Sequence, residues 1–122
     1  NTSPETIFVV TFDGQATQTF GGMTFLINAS VGGNMQAANY GINGGWWGLR
    51  TTSAFVNLFP DITGDADKRA IFFTNGHTRE IASISNFFDG YAMPKFVNLT
   101  SAGTPGARGD FPDTDFPMFR LA

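Results

Sequence analysis

Residues 39–52, Asn-Tyr-Gly-Ile-Asn-Gly-Gly-Trp-Trp-Gly-Leu-Arg-Thr-Thr, most constrain what this chain can fold into. Both tryptophans of the chain, Trp46 and Trp47, stand here between Gly44-Gly45 and Gly48. A residue without Cβ frees the backbone of its usual steric limits, so glycine on both sides predicts a loop. Such a loop holds flat rings in orientations that a regular element forbids. Tyr40, Trp46 and Trp47 bring rigid apolar faces, and Asn39, Asn43 and Arg50 bring paired donors and acceptors. These are the materials of a recognition surface. No nucleophile, base or metal cage is evident among them.

The rest of the composition agrees with a loop-rich fold. The 122 residues make one domain at most, read here as a single piece, 1–122. Fourteen Phe, fifteen Gly and few Leu argue against a helical bundle and for short strands with structured loops. The fold class expected is α+β: a loop-rich, irregular domain with short strands and one or two short helices.

Several function classes drop out. A formal net charge of −3, with seven Lys and Arg scattered along the chain, gives no basis for nucleic-acid binding. No apolar run approaches the roughly 20 residues that span a bilayer. The absence of cysteine removes disulfides, thiolate metal sites and cysteine nucleophiles. No Gly-Lys-Ser/Thr and no strand–GxGxxG–helix order make a phosphate cradle. Three N-glycosylation patterns, at Asn1, Asn28 and Asn98, are short enough to arise by chance. No cofactor is called for.

Along the chain, residues 7–12 (Ile-Phe-Val-Val-Thr-Phe) read as a strand, ended by Asp13-Gly14. Its nearly continuous apolar character predicts that both faces are covered. Phe20-Gly21-Gly22 punctuates the backbone before a second apolar run, residues 23–27, and residues 30–45 read as loop. Thr52-Ser53 is placed to cap a short helix ended by Pro60, with Phe55, Leu58 and Phe59 as its core-facing stripe. Asn75-Gly76 is a hairpin signal, and His77 beside it reads as a surface turn residue. Residues 91–97, with Pro94 inside, read as an edge strand or extended segment. Residues 101–115 read as a linker, and residues 116–122 turn apolar again, which predicts self-association or a continuing chain. The start at Asn1 without Met leads to the expectation of a processed or excised product.

Asp61, Asp65 and Asp67 cluster beside Gly64, a donor set that Ca²⁺ accepts. The Glu that closes an EF-hand loop is missing, so the stronger reading is one Asp capping the next short helix and Asp67 pairing locally with Arg69. The second cluster, Asp110, Asp113 and Asp115, reads as a solvated loop. No metal site is assigned. Carboxylates for glycoside hydrolysis exist, but none stands in a recognisable apolar pocket motif, so no catalytic residue is assigned.

Three segments in order carry a family resemblance. They are residues 3–8 (Ser-Pro-Glu-Thr-Ile-Phe); residues 46–59 followed by Asp67-Lys68-Arg69; and residues 115–122 (Asp-Phe-Pro-Met-Phe-Arg-Leu-Ala), with Asp89-Gly90-Tyr91 and Lys95-Phe96 before them. Together they resemble the SusD/RagB family of outer-membrane, surface-exposed glycan-binding lipoproteins. The resemblance implies a piece from the non-helical middle of the C-terminal region of a larger protein. It implies that residues 115–122 open a long helix of a tetratricopeptide-like scaffold, absent here, as is the lipidated N-terminal cysteine. The implied activity is non-catalytic: oligosaccharide, sometimes peptide, is bound and passed to a TonB-dependent, SusC-like transporter. Glycan-binding aromatics in this region add Phe20 to Trp47, Trp46, Tyr40, Arg50, Asn43 and Asn39 as candidate ligand-binding residues. Adjacent residues in extended chain point opposite ways, so one tryptophan is expected inside and one, with a preference for Trp47, outside. The competing reading makes the Trp pair core, in a region that supports the scaffold or the transporter contact.

Overall fold

The computed structural model describes residues 4–121, so Ser3, the Asn1 glycosylation pattern and Ala122 lie outside the described residues. The order of elements is β1 (Thr6–Val10), α1 (Gly22–Ala29), a 3₁₀ turn (Ala37–Tyr40), α2 (Ser53–Val56) and β2 (Phe116–Arg120). Most of the remaining chain is irregular. The α+β, loop-rich class expected from composition is what forms.

α1 is the centre. Met23 and Ile27, four residues apart on one face, are fully buried, and Val31, Met35, Ile42, Phe87 and Ala92 close around them. The apolar run at 23–27 is thus helical. Thr24 and Asn28 are buried too, and the Asn28 Nδ2 donates to the Thr24 carbonyl at 2.9 Å, satisfying one polar group inside the same helix.

β1 and β2 pair antiparallel, Thr6 opposite Arg120 and Val10 opposite Phe116, with irregular register around Phe8. A two-stranded ribbon is marginal alone. Here Phe12 and Phe116 anchor it to the core, and the Phe12 N–H donates to Asp115 Oδ1 at 3.2 Å. The expectation that both faces of the first strand are covered is wrong, because no second layer among the described residues packs over the ribbon: Ile7 is 64% exposed, and Phe8 and Val10 are exposed as well. Residues 116–120 form a strand rather than the start of a helix. Pro117 disfavours helical backbone at Phe116, and the strand's partner is already in place.

α2 forms where expected, with the Thr52 side chain accepting from the Phe55 N–H at 3.3 Å. It spans only four residues, so its stripe is not the one expected: Val56 is the buried residue, whereas Phe55 and Leu58 are exposed. Phe55, Phe59 and Phe72 instead form a partly exposed aromatic group, with centroids 5.1–6.2 Å apart. Asn75-Gly76 makes a turn but no hairpin, since its flanks form isolated bridges to the 89–92 segment: Phe73 with Ala92, Thr78 with Asp89. Residues 91–97 form no regular strand: Tyr91 and Ala92 make isolated bridges to Thr51 and Phe73, and the Lys95 N–H donates to the Met93 carbonyl at 2.9 Å in a tight turn over Pro94.

The 101–115 segment is not a linker. Buried Asn98 pins it: its Nδ2 donates to the carbonyls of Gly41 and Arg108, each at 2.8 Å, and its Oδ1 accepts from the Asp113 N–H at 3.1 Å. Asp113 Oδ2 in turn accepts from the Ala107 N–H. Gly41, at φ +71, leaves no room for a Cβ, which would stand 2.0 Å from the Asn98 carbonyl oxygen. Asn28 and Asn98 are both buried and bonded, so neither presents its amide for glycosylation.

Asp61 organises the acidic turn, and it caps a turn rather than a helix. Its carboxylate accepts from the backbone N–H groups of Ala66, Thr63 and Asp65 and from the Thr63 hydroxyl. The Ala66 N–H leads in holding its pKa down to about 2, followed by the Thr63 bonds. The Arg69 guanidinium does the same for Asp67, also to about 2, which is the local pair expected from sequence. Among the described residues no group of three or more His, Cys, Asp or Glu converges to hold a metal ion, and no helix is long and apolar enough to cross a membrane.

A group whose folded pKa lies below its ordinary 3.8 stabilises the fold in full above that value, and the contribution is lost as pH falls through the folded pKa. The urea midpoint of this protein is therefore expected to fall between pH 4 and pH 2. Asp61→Asn, which does not titrate, is expected to show a flatter dependence over the same window, measured by urea unfolding at several pH values.

Candidate functional site

The C-terminal end of α1 builds the site. The last carbonyls of a helix have no partner within it, and here the Trp loop supplies their donors. The Trp46 N–H donates to the Asn28 carbonyl at 2.8 Å, and the Gly48 and Leu49 N–H groups donate to Ala29 at 2.8 and 2.7 Å. The Trp47 N–H reaches the Val31 carbonyl at 3.1 Å. Gly45 permits this approach, because a Cβ there would lie 2.1 Å from the Val31 oxygen.

The loop so held forms one wall of an open cavity of about 560 Å³, within the range of small-ligand sites. Three rings surround it. Phe20 lies 6.0 Å from Trp46 and 5.3 Å from Phe111, all three tilted rather than stacked on one another. Their polar companions are Asn43 and Asp110, joined by a 2.8 Å bond from Asn43 Nδ2 to Asp110 Oδ1. The Asn43 N–H also donates to the Gly109 carbonyl, which sets the two loops side by side. Asp110 is the one carboxylate among the described residues lining the cavity, whereas glycoside hydrolysis ordinarily uses a pair.

Of the seven candidates, Phe20, Asn43 and Trp46 meet at this cavity. Trp47 does not. Its ring lies over Gly32 and against Phe87 and Phe88, at 5.8 and 6.0 Å, in a second aromatic group. Arg50 belongs to that group: its guanidinium donates to the carbonyls of Asn86 and Ile84 and sits 5.9 Å from the Phe87 ring centroid. Its charge serves to hold the 84–87 loop. Tyr40 is half-buried against the core, and burial pushes its phenol pKa up. Asn39 is exposed in the 3₁₀ turn. One tryptophan inside and one outside is not what forms: Trp46 is 41% and Trp47 52% exposed.

Three lining side chains were missed: Asn28, Asp110 and Phe111. Asp110 and Phe111 lie in the stretch read as a solvated linker, and only the fold brings them within reach of Trp46. The one sequence signal was Phe111 itself, a large apolar side chain inside a Gly-, Asp- and Pro-rich loop. His77, read as a surface residue, is half-buried instead. Its Nδ1 bonds the Gly90 carbonyl at 2.8 Å and its ring packs among Phe73, Phe87 and Phe88.

No family model matches the chain. It is similar to the starch-binding protein SusD of Bacteroides thetaiotaomicron, with 27% identity over 165 aligned positions that take in 100% of this chain and 30% of the relative. The chain thus spans about a third of that relative's length, and the likeness is to a SusD-like protein at a distance.

Because the Trp loop rests on a close backbone approach, Gly45→Ala is expected to destabilise the fold by about 1–3 kcal/mol. Urea unfolding measures that loss. Tryptophan emission, more readily quenched by acrylamide than in the parent, would report release of the loop from the end of α1.

Proposed function

We propose that this chain binds oligosaccharide without catalysis, through the cavity bounded by Phe20, Trp46 and Phe111. The observation that carries the reading is the grouping of these three rings around one opening, with the Asn43–Asp110 pair at its edge. A sugar offers a face of C–H bonds to an aromatic ring and a rim of hydroxyls to paired donors and acceptors. The Asn43 carbonyl oxygen and Asp110 Oδ2 stand at that edge without partners among the described residues. The likeness to a protein named for binding starch supports the same class of ligand. The rival reading, a Trp pair in the core, is disfavoured by the exposure of both rings.

The family resemblance supports three further parts of the proposal. The chain is a piece, 1–122, of a larger SusD-like protein. That protein lies at the outer-membrane surface, anchored through a lipidated cysteine. It passes glycan to a TonB-dependent, SusC-like transporter.

We also infer self-association through the apolar ribbon, where Phe8, Met118, Phe119 and Leu121 are exposed together. Light scattering is expected to show oligomers at high concentration that Phe119→Lys disperses; a strict monomer would remove the inference. For the cavity, a tryptophan-fluorescence titration against starch-derived, plant, host and bacterial oligosaccharides is expected to saturate with one class. Trp46→Ala should weaken that binding at least tenfold, about 1.4 kcal/mol, in protein that stays folded, and Trp47→Ala should leave it nearly unchanged. Equal loss in both variants, or none in Trp46→Ala, would refute the assignment of the cavity.

A further inference from the structure

Basic residues scattered along the sequence are gathered by the fold. Lys68, Arg69, Lys95 and Arg120, four of the seven Lys and Arg, line one concavity of about 460 Å³. They come from three places: the turn after the Asp61 loop, the extended segment beyond Pro94, and the end of β2. Two have counter-ions, since Arg69 pairs with Asp67 and Arg120 with Glu5. Lys68 and Lys95 have no carboxylate at salt-bridge distance among the described residues, so two positive charges are left uncompensated on a chain of net charge −3. Lys95 leans instead over the Phe96 ring, its Nζ 5.6 Å from the centroid.

The floor of the concavity is aromatic. Phe55 and Phe59 line it, with centroids 5.5 Å apart in an edge-to-face arrangement, and Phe55 is partly exposed. Cations beside apolar ring faces fit a ligand with an anionic group on an apolar face. The concavity's volume lies in the small-ligand range, with room for a saccharide ring or two. We propose that this concavity is a second ligand site, taking an acidic sugar residue: a uronate, or a hexose bearing sulfate. The ring packs on Phe55 and Phe59, and Lys68 and Lys95 neutralise the acidic group. The proposal rests on the glycan-binding reading for the choice of a sugar as the carrier of the charge.

The test is an NMR titration of the isotopically labelled chain with tri-galacturonate and with a sulfated trisaccharide. Maltotriose serves as the neutral control, with hexaglutamate and inorganic sulfate alone as the other anions. Saturable shifts confined to the amides of residues 68, 69, 95 and 120 are expected with either acidic saccharide, weakening as salt rises. Lys68→Gln combined with Lys95→Gln should lower the affinity at least tenfold while the rest of the spectrum is preserved. Equal shifts with maltotriose, equal or larger ones with hexaglutamate or sulfate, unchanged affinity in the double variant, or no shift at millimolar saccharide would each overturn it. The Trp46 indole N–H reports the first cavity in the same spectra, so failure there is seen separately from failure here.

Discussion

The hydrogen bonds from the Trp loop to the end of α1 are the interaction on which the rest depends. A helix of eight residues cannot satisfy its final carbonyls from within. In this chain the N–H groups of Trp46, Gly48 and Leu49 supply the need for Asn28 and Ala29. The exchange works in both directions. The helix gains donors for the Ala29 carbonyl, which unpaired would cost about 1–3 kcal/mol, and a further donor for Asn28, whose carbonyl also accepts from the Ser30 and Val31 N–H groups. The loop, which has no ladder or helix of its own, gains a fixed path. Position of the rings then follows from backbone bonds rather than from burial of the rings themselves, which is why both tryptophans stay half-exposed on an ordered loop.

Asn98 does for the opposite wall what the helix end does for the Trp loop. One buried side-chain amide binds three backbone groups, on Gly41, Arg108 and Asp113, and so ties the segment before the Trp loop to the segment carrying Asp110 and Phe111. Two five-residue strands and two short helices among the described residues leave few ladders for such links. Side-chain amides and carboxylates take over that work, Asp61 and Asp89 among them. Asp89 accepts from the Ser83 N–H and the Asn86 amide to close the loop that Arg50 holds from the other side. Polar residues read as turn or solvent chemistry are, in this molecule, the fasteners of the loops.

That explains which parts were legible in the sequence. The class was, because Phe, Gly and few Leu limit the regular structure available. Local chemistry was also legible: the Thr52 cap and the Asp67–Arg69 pair depend on residues two or three apart. The character of residues 23–27 was not, since a five-residue run with four apolar side chains fits a strand or a helix equally until their partners are known. The cavity was half legible. Trp46, Asn43 and Phe20 carry their own signal as aromatic and amide groups in a Gly-rich context. Asp110 and Phe111 join them across more than sixty residues, through an asparagine whose importance lies in burial, which no local pattern records.

Trp47 shows how the loop departs from the alternation that an extended chain would impose. Its φ of +58 is the left-handed region, where a bulky residue is rarely found. This conformation costs on the order of 1–2 kcal/mol. Regular extension would have sent one ring inward and one outward. The left-handed turn instead lets neighbouring rings serve two separate groups, Trp46 with Phe20 and Phe25, Trp47 with Phe87 and Phe88. The bond from the Trp47 N–H to Val31 and the packing of its ring on two phenylalanines offset the strain. A strained residue beside an open aromatic cavity is a common mark of a preorganised site. The strain sits at the residue whose half-exposed ring packs against Phe87 and Phe88, and the neighbour it frees is the one that faces the cavity.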